Sequence, residues 1–216
     1  MTKHDINIIV GTSHAGKSQF VKNTFIRGRE FVQKVDEDIR MPYTELPDCI
    51  LVGKYASDNT RDWGRLVGTD RIERKMVGNL ARFALKHSNQ KIVAMEGQRC
   101  VSRPMMRTLI DAHADIGVVY IKVLPKISLL RANEFHEYMT ERQSAIQKYN
   151  LTCTENGFCK GYNMHENFIR DLTTLSEFKG KFDLTIVDST NVADFTKFSM
   201  DDLQGATIVQ EWSRKD

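Results

Sequence analysis

Short apolar runs recur along the chain at Ile6–Val10, Cys49–Gly53, Lys91–Gly97, Asp115–Val123 and Phe182–Val187. Each has the length of a buried strand, and 115–123 is rich in β-branched residues (Ile116, Val118, Val119, Ile121, Val123). Between them, apolar positions fall at helical spacing. Phe20, Val21 and Phe25 follow the first run, Ile72, Met76, Leu80 and Phe83 precede the third, and Met105, Met106, Leu109 and Ile110 follow it. The pattern predicts strand alternating with helix, hence an α/β domain with an open, mostly parallel sheet and helices on both faces.

Local signals set the expected ends. A first helix spans about 17–26, with Gly28 where a C-terminal glycine belongs. A second starts at Asp70, where Asp70 and Glu73 have the spacing of a capping box. A third starts at Arg103-Pro104, proline being suited to the first turn. Residues 29–48 are polar, are broken by Pro42 and Pro47, and hold at most a short strand at Phe31–Val35. Residues 54–69 have loop composition. The stretch 126–178 is polar and helical, interrupted near 150–165 by Asn150, Gly157 and Gly161, and the tail 192–216 has room for one short helix. No repeat or low-complexity segment divides residues 1–216, so a single domain is expected.

The first run leads into Gly11-Thr12-Ser13-His14-Ala15-Gly16-Lys17-Ser18, the pattern G-x-x-x-x-G-K-[ST] between a strand and a helix. Its glycines let the backbone curl with N–H groups pointing at phosphate oxygens, and the helix start adds positive potential. Lys17 can reach the β- and γ-phosphates, and Ser18 can ligate Mg²⁺. A nucleoside triphosphate and Mg²⁺ are therefore the expected ligands.

Phosphoryl transfer also needs a metal holder, a group that positions the nucleophile, and positive charge on the transferring group. Glu96 ends the third run beside Gly97, and can hold Mg²⁺ or take the proton of an attacking hydroxyl; acids also end many strands for no catalytic reason. Asp70 is a helix cap, a substrate contact or both. Arg99 and Arg103 follow Glu96 closely enough to meet an anionic substrate, and Arg131 and Arg142 lie on the long polar stretch, from which one can swing onto the phosphate. Arg131 is the stronger candidate, because its helix directly follows the strand ending at Val123. Tyr55 and Trp63 flank the loop after Gly53, where an aromatic ring can stack on a base or pack on the domain.

Composition narrows the partners. The 216 residues carry a net charge of +3, so any nucleic-acid contact must be a local patch. Arg71, Lys75, Arg82 and Lys86 share a helix face that is either solvated or a phosphate track. No apolar run is long enough to span a membrane. The N-terminus enters a strand at once, without room for a signal peptide, which points to the cytoplasm. The cysteines at 49, 100, 153 and 159 then read as reduced thiols. Cys153 and Cys159 with His165 lack zinc spacing and a fourth ligand.

The loop Gly11–Ser18 together with a strand ending in Glu96-Gly97 resembles the P-loop kinase superfamily. The resemblance implies the P-loop kinase fold, with a five-stranded parallel core, and ATP with Mg²⁺. It also implies an arginine-bearing helical lid, here about 126–178, and a loop Asp188–Asn191 near the adenine. The ordered set Val52-Gly53-Lys54-Tyr55, Gly68-Thr69-Asp70-Arg71, Glu96-Gly97 and Val101-Ser102-Arg103 is more narrowly similar to phage P-loop kinases that phosphorylate 5-hydroxymethyluracil in DNA. That similarity implies Lys54, Tyr55, Asp70, Arg71, Arg99 and Arg103 on the acceptor side, DNA with a modified pyrimidine as partner, and the host cytoplasm as the location of a phage-encoded chain. Residues 56–63 and the lid, which lacks a paired-arginine signature, depart from the pattern. A kinase of a free nucleoside, nucleotide or other small metabolite, and an NTP-dependent switch, are the competing readings.

Overall fold

In the computed structural model, which describes residues 3–55, 68–69, 72, 74–140, 155–195 and 197–214, β1 (Ile6–Gly11) runs through the middle of one sheet. All six of its residues are buried. Ile6, Ile8 and Val10 belong to the core on one face and Ile9 to the core on the other, which is the period-2 alternation of a strand covered on both sides. β5 (Ile92–Glu96) and β6 (Ile116–Lys122) flank it in parallel, with Ile9 opposite Glu96 and Gly11 opposite Ile121. β4 (Cys49–Val52) pairs in parallel outside β5, and β7 (Asp183–Asp188) outside β6.

The expected five-stranded sheet is corrected to eight strands, in the order β2 (Val32–Val35), β3 (Pro42–Glu45), β4, β5, β1, β6, β7, β8 (Thr207–Trp212). The parallel core is the run from β4 to β7. Antiparallel edges extend it: β2 and β3 on one side, β8 on the other. β2 falls on the short strand expected at Phe31–Val35; β3, buried at Tyr43 and Thr44, and β8, which buries little, were not expected. All four residues of β2 are exposed, and five of the six in β8. β8 thus replaces the short helix expected in the tail. Pro42 stands at the first position of β3, where a missing N–H is tolerated.

α1 (Lys17–Val21) continues as a π-helical turn, Lys22–Ile26, over the expected 17–26. α2 (Leu80–Ser88) is preceded by a 3-10 turn, Arg74–Asn79. α3 (Arg103–Asp111) is capped by Ser102, whose Oγ accepts from the Met105 amide at 3.3 Å. α4 (Pro125–Thr140) and α5 (Glu155–Thr174) make up the long polar stretch. Gly157 and Gly161 lie inside α5, not in the expected break. The side chains of α2, α3 and α5 fill the core on one face of the sheet, and those of α1 and its π turn fill the core on the other.

Parallel strands feed ligand sites at their carboxyl ends, above all where the connections switch direction. Here that point lies at the top of β1, between β5 and β6. Among the described residues no helix is long and apolar enough to cross a membrane.

Candidate active site

The loop after β1 closes on itself. The Lys17 ammonium is buried and donates to the Thr12 carbonyl at 2.7 Å, so the lysine spans its own loop. A Cβ at Gly11 would stand 2.3 Å from the Ile121 carbonyl oxygen, and one at Gly16 2.4 Å from the Phe195 ring. Neither position admits a side chain. His14 adopts left-handed backbone (φ 58), which turns the loop over without a third glycine. Thr12 Oγ1 is buried and has no hydrogen-bond partner. A glycine-lined curl with an unmet polar atom and a lysine at its rim fits a phosphate group, and Ser18 at the start of α1 supplies a hydroxyl for a hard cation.

Glu96 gathers the separate motifs. It is 2% exposed at the end of β5. Ser18 Oγ donates to its Oε2 at 3.1 Å, and the Tyr55 hydroxyl donates to its Oε1 at 3.2 Å. Thr69 Oγ1 donates to its backbone carbonyl at 2.6 Å. Tyr55 is held in turn by β3, because its amide donates to Thr44 Oγ1 at 3.2 Å while that hydroxyl donates to the Gly53 carbonyl at 3.1 Å.

The two glycine motifs explain each other. Lys54 and Gly68 form an antiparallel bridge. A Cβ at Gly53 (φ +95) would lie 2.0 Å from the Gly68 oxygen, and one at Gly68 (φ +60) 2.6 Å from Glu96 Cγ. Gly53-Lys54-Tyr55 and Gly68-Thr69 therefore pack on one another and on Glu96. Of this group, Lys54 keeps its side chain exposed. Asp70 and Arg71 lie outside the described residues, as do Trp63, Arg142 and Cys153.

Arg131 on α4 reaches the loop Gly11–Ser18 as a clamp. Its Nη1 donates to the His14 carbonyl at 3.3 Å, and its Nη2 faces the carbonyls of Ser189, Thr190 and Val192 at 2.6, 3.3 and 2.9 Å. The guanidinium lies over the Phe195 ring, 4.8 Å from its centre, and burial lowers its pKa. Ser189 Oγ donates to the Ala15 carbonyl at 3.0 Å. Asp188–Asn191, expected near the adenine, thus lies against the loop Gly11–Ser18 through Ser189.

The remaining candidates sit farther along. Arg99 is half-buried, with Nη1 lacking a hydrogen-bond partner. Arg103 pairs with Asp171 of α5 and lines an open cleft of about 510 Å³. Val101 and Arg103 form one wall of that cleft, and Lys160, Asn163, Met164 and Asn167 of α5 the other. Of the proposed basic helix face, Lys86 is committed: its ammonium meets Asp36 at 2.9 Å and Asp38 at 2.7 Å.

Thr69 and Phe195 carried no assigned role in the sequence, and His165 only an incomplete metal set. Thr69 was visible only as the middle of Gly-Thr-Asp. Phe195 lies in a tail without periodicity, and only the fold brings it onto Gly16. The Nδ1 of His165 faces the Gly161 carbonyl at 2.8 Å, a partner inside its own helix. No protein-family model matches the chain, and no curated protein matches it.

Proposed function

We propose that the chain is an ATP-dependent kinase with the P-loop kinase fold, transferring the γ-phosphate to an alcohol. We infer the acceptor to be the hydroxymethyl group of 5-hydroxymethyluracil in DNA. One observation carries the kinase reading: Ser18 of the phosphate loop and Tyr55 of the Gly-Lys-Tyr turn both hydrogen-bond the buried carboxylate of Glu96. A phosphate loop alone binds nucleotide; a carboxylate shared with a second, remote motif supplies a place for an acceptor.

In this reading the amides of residues 11–18 hold the triphosphate and Lys17 leaves the Thr12 carbonyl for its β- and γ-oxygens. Ser18 and Glu96 would hold Mg²⁺, which would offset charge on the phosphate oxygens. Glu96 Oε1, on the Tyr55 side, or Asp70 takes the proton of the acceptor hydroxyl. The alcohol oxygen bonds to the γ-phosphorus as the bond to the β,γ-bridging oxygen breaks, and ADP leaves. Arg131 keeps 189–192 against the loop. The cleft at Arg103 and Lys160 offers cations and side-chain amides to an anionic acceptor, and a base within duplex DNA would have to be flipped to enter.

Labelled γ-phosphate tests this. Label is expected in DNA carrying hydroxymethyluracil and absent from unmodified DNA. Label on a free nucleoside, with none in DNA, would instead establish the small-metabolite reading, which the modest net charge and the engagement of Lys86 by Asp36 and Asp38 favour. Binding of ATP without transfer to either acceptor would leave a nucleotide-dependent switch. Salt separates the two kinases, since a DNA acceptor gives a steep loss of affinity as salt rises.

A further inference from the structure

Five buried side-chain polar atoms among the described residues lack a hydrogen-bond partner: Thr12 Oγ1, Arg99 Nη1, Ser128 Oγ, His165 Nε2 and Thr190 Oγ1. One of them belongs to a titratable imidazole that is 0% exposed. His165 Nδ1 faces the Gly161 carbonyl at 2.8 Å, and a carbonyl only accepts, so Nδ1 carries the hydrogen. In the neutral ring Nε2 is then a bare lone pair, sealed from water.

The ring's neighbours connect it to the loop Gly11–Ser18. α5 packs on the sheet face that carries Ile8, Val10 and Tyr120. The His165 ring is parallel to Tyr120 (interplanar angle 2°, centres 6.1 Å apart), and Tyr120 pairs in register with Val10, the residue before the phosphate loop. Phe158, two turns earlier on α5, sets its ring against His14 of the loop at 6.0 Å. The titratable groups that meet His165 are Tyr120 on β6, stacked on the ring, and Lys17 of the loop, whose charge acts on it. Tyr120 donates to Glu166 at 2.8 Å, and Lys122 stands 3.5 Å from the same oxygen. Burial lowers the His165 pKa most; the Gly161 carbonyl opposes this and the Lys17 charge adds to it, leaving a value of about 4. A base is thus kept bare partly by the cation that a phosphate would neutralise.

We propose that His165 is a phosphate-contacting residue of this site: nucleotide binding draws one proton from solvent onto Nε2, which then donates to a phosphate oxygen. The inference rests on the reading of Gly11–Ser18 as a nucleotide site, not on the identity of the acceptor. The proton comes from the buffer and no other bond changes. Phosphate oxygens beside Lys17 replace a repulsive field at the ring with an attractive one, so the imidazolium forms only in the complex and adds a second cation to the triphosphate.

The test is calorimetric titration of the full-length chain with a non-hydrolysable ATP analogue and Mg²⁺ at about pH 6, in buffers of different ionisation enthalpy. Wild type is expected to take up more protons per nucleotide than His165→Asn, by up to about one. Asparagine keeps an amide donor for the Gly161 carbonyl and removes Nε2. Protonation of the analogue itself is common to both proteins and cancels. Equal proton counts would overturn the proposal. In wild type alone, nitrogen NMR of the ring is expected to pass from neutral to imidazolium on adding nucleotide, and a ring that stays neutral overturns it whether or not the variant folds. Absence of nucleotide binding at any pH would bring down the nucleotide site as well, a result distinct from binding with equal proton counts.

Discussion

Ser18 Oγ donates to Glu96 Oε2 at 3.1 Å, joining residues 78 positions apart at the tops of neighbouring strands. The contact places the hydroxyl of the phosphate loop and the β5 carboxylate within reach of one cation, while the second carboxylate oxygen stays with Tyr55. Glu96→Gln keeps the shape and an accepting oxygen but removes the charge. It is expected to lower kcat by roughly 10²–10⁴ with little change in melting temperature. Phosphotransfer rates beside thermal melts check this, and a rate within about twofold of wild type would remove Glu96 from the chemistry.

Gly68 has to be glycine for two separable reasons. Its φ of +60 is unfavourable for other residues, and a Cβ would press on Glu96 Cγ at 2.6 Å and the Tyr55 hydroxyl at 2.9 Å. Gly68→Ala is expected to cost about 1–3 kcal/mol in urea unfolding. It should also lower phosphotransfer beyond what the folded fraction explains, because the clash falls on the carboxylate. Gly28→Ala is the control. That glycine is also left-handed (φ +69), but open space surrounds its Cβ position, so it should lose stability without a specific loss of rate.

The parallel core was legible because both of its faces are covered. Buried strands such as β1 and β6 read as continuous apolar runs, and their lengths agree with the structure to within a residue or two. The edge β8 was illegible for the converse reason: backbone pairing, not side-chain burial, defines it and no periodicity records it, whereas β2 lies where a short strand at Phe31–Val35 was expected. The site divides likewise. Gly11–Ser18 is local chemistry and announces itself. The meeting of Tyr55, Thr69 and Ser18 on Glu96 depends on β4 lying beside β5 and β5 beside β1, an order no local pattern states. Arg131 was singled out for its position after β6; the carbonyls it clamps belong to 189–192, visible only once β7 is in place.

Arg131 offers a fork of donors to four carbonyls on two loops, a pattern a lysine cannot reproduce. Arg131→Lys is expected to free 189–192 from the phosphate loop and raise the Kd for ATP about tenfold, or about 1.4 kcal/mol. Equilibrium binding of a fluorescent ATP analogue checks it. If the arginine acts only on the transferring group, kcat will fall and Kd will not, which would overturn the clamp.

Asp36 closes the hairpin side of the sheet and gives the fold an acid limit. Its side chain is 3% exposed and meets Lys86 Nζ and His87 Nε2, each at 2.9 Å, and the Ile39 amide at 2.8 Å. Burial pushes its pKa up, but the hydrogen bonds from Lys86, Ile39 and His87 outweigh it and hold the carboxyl down at about 2, against 3.8 for a free aspartate. A folded-state value below the unfolded one means that folding is favoured by ionisation. The contribution is complete above the unfolded value and drains away as pH falls from 3.8 toward 2. It is on the order of 2 kcal/mol. Asp36→Asn is therefore expected to be less stable at neutral pH by about this amount and to lose less on acidification, so that the two proteins converge below about pH 2. Urea unfolding across the acid range reads both limbs, and parallel acid limbs would show that Asp36 is not the group that sets them.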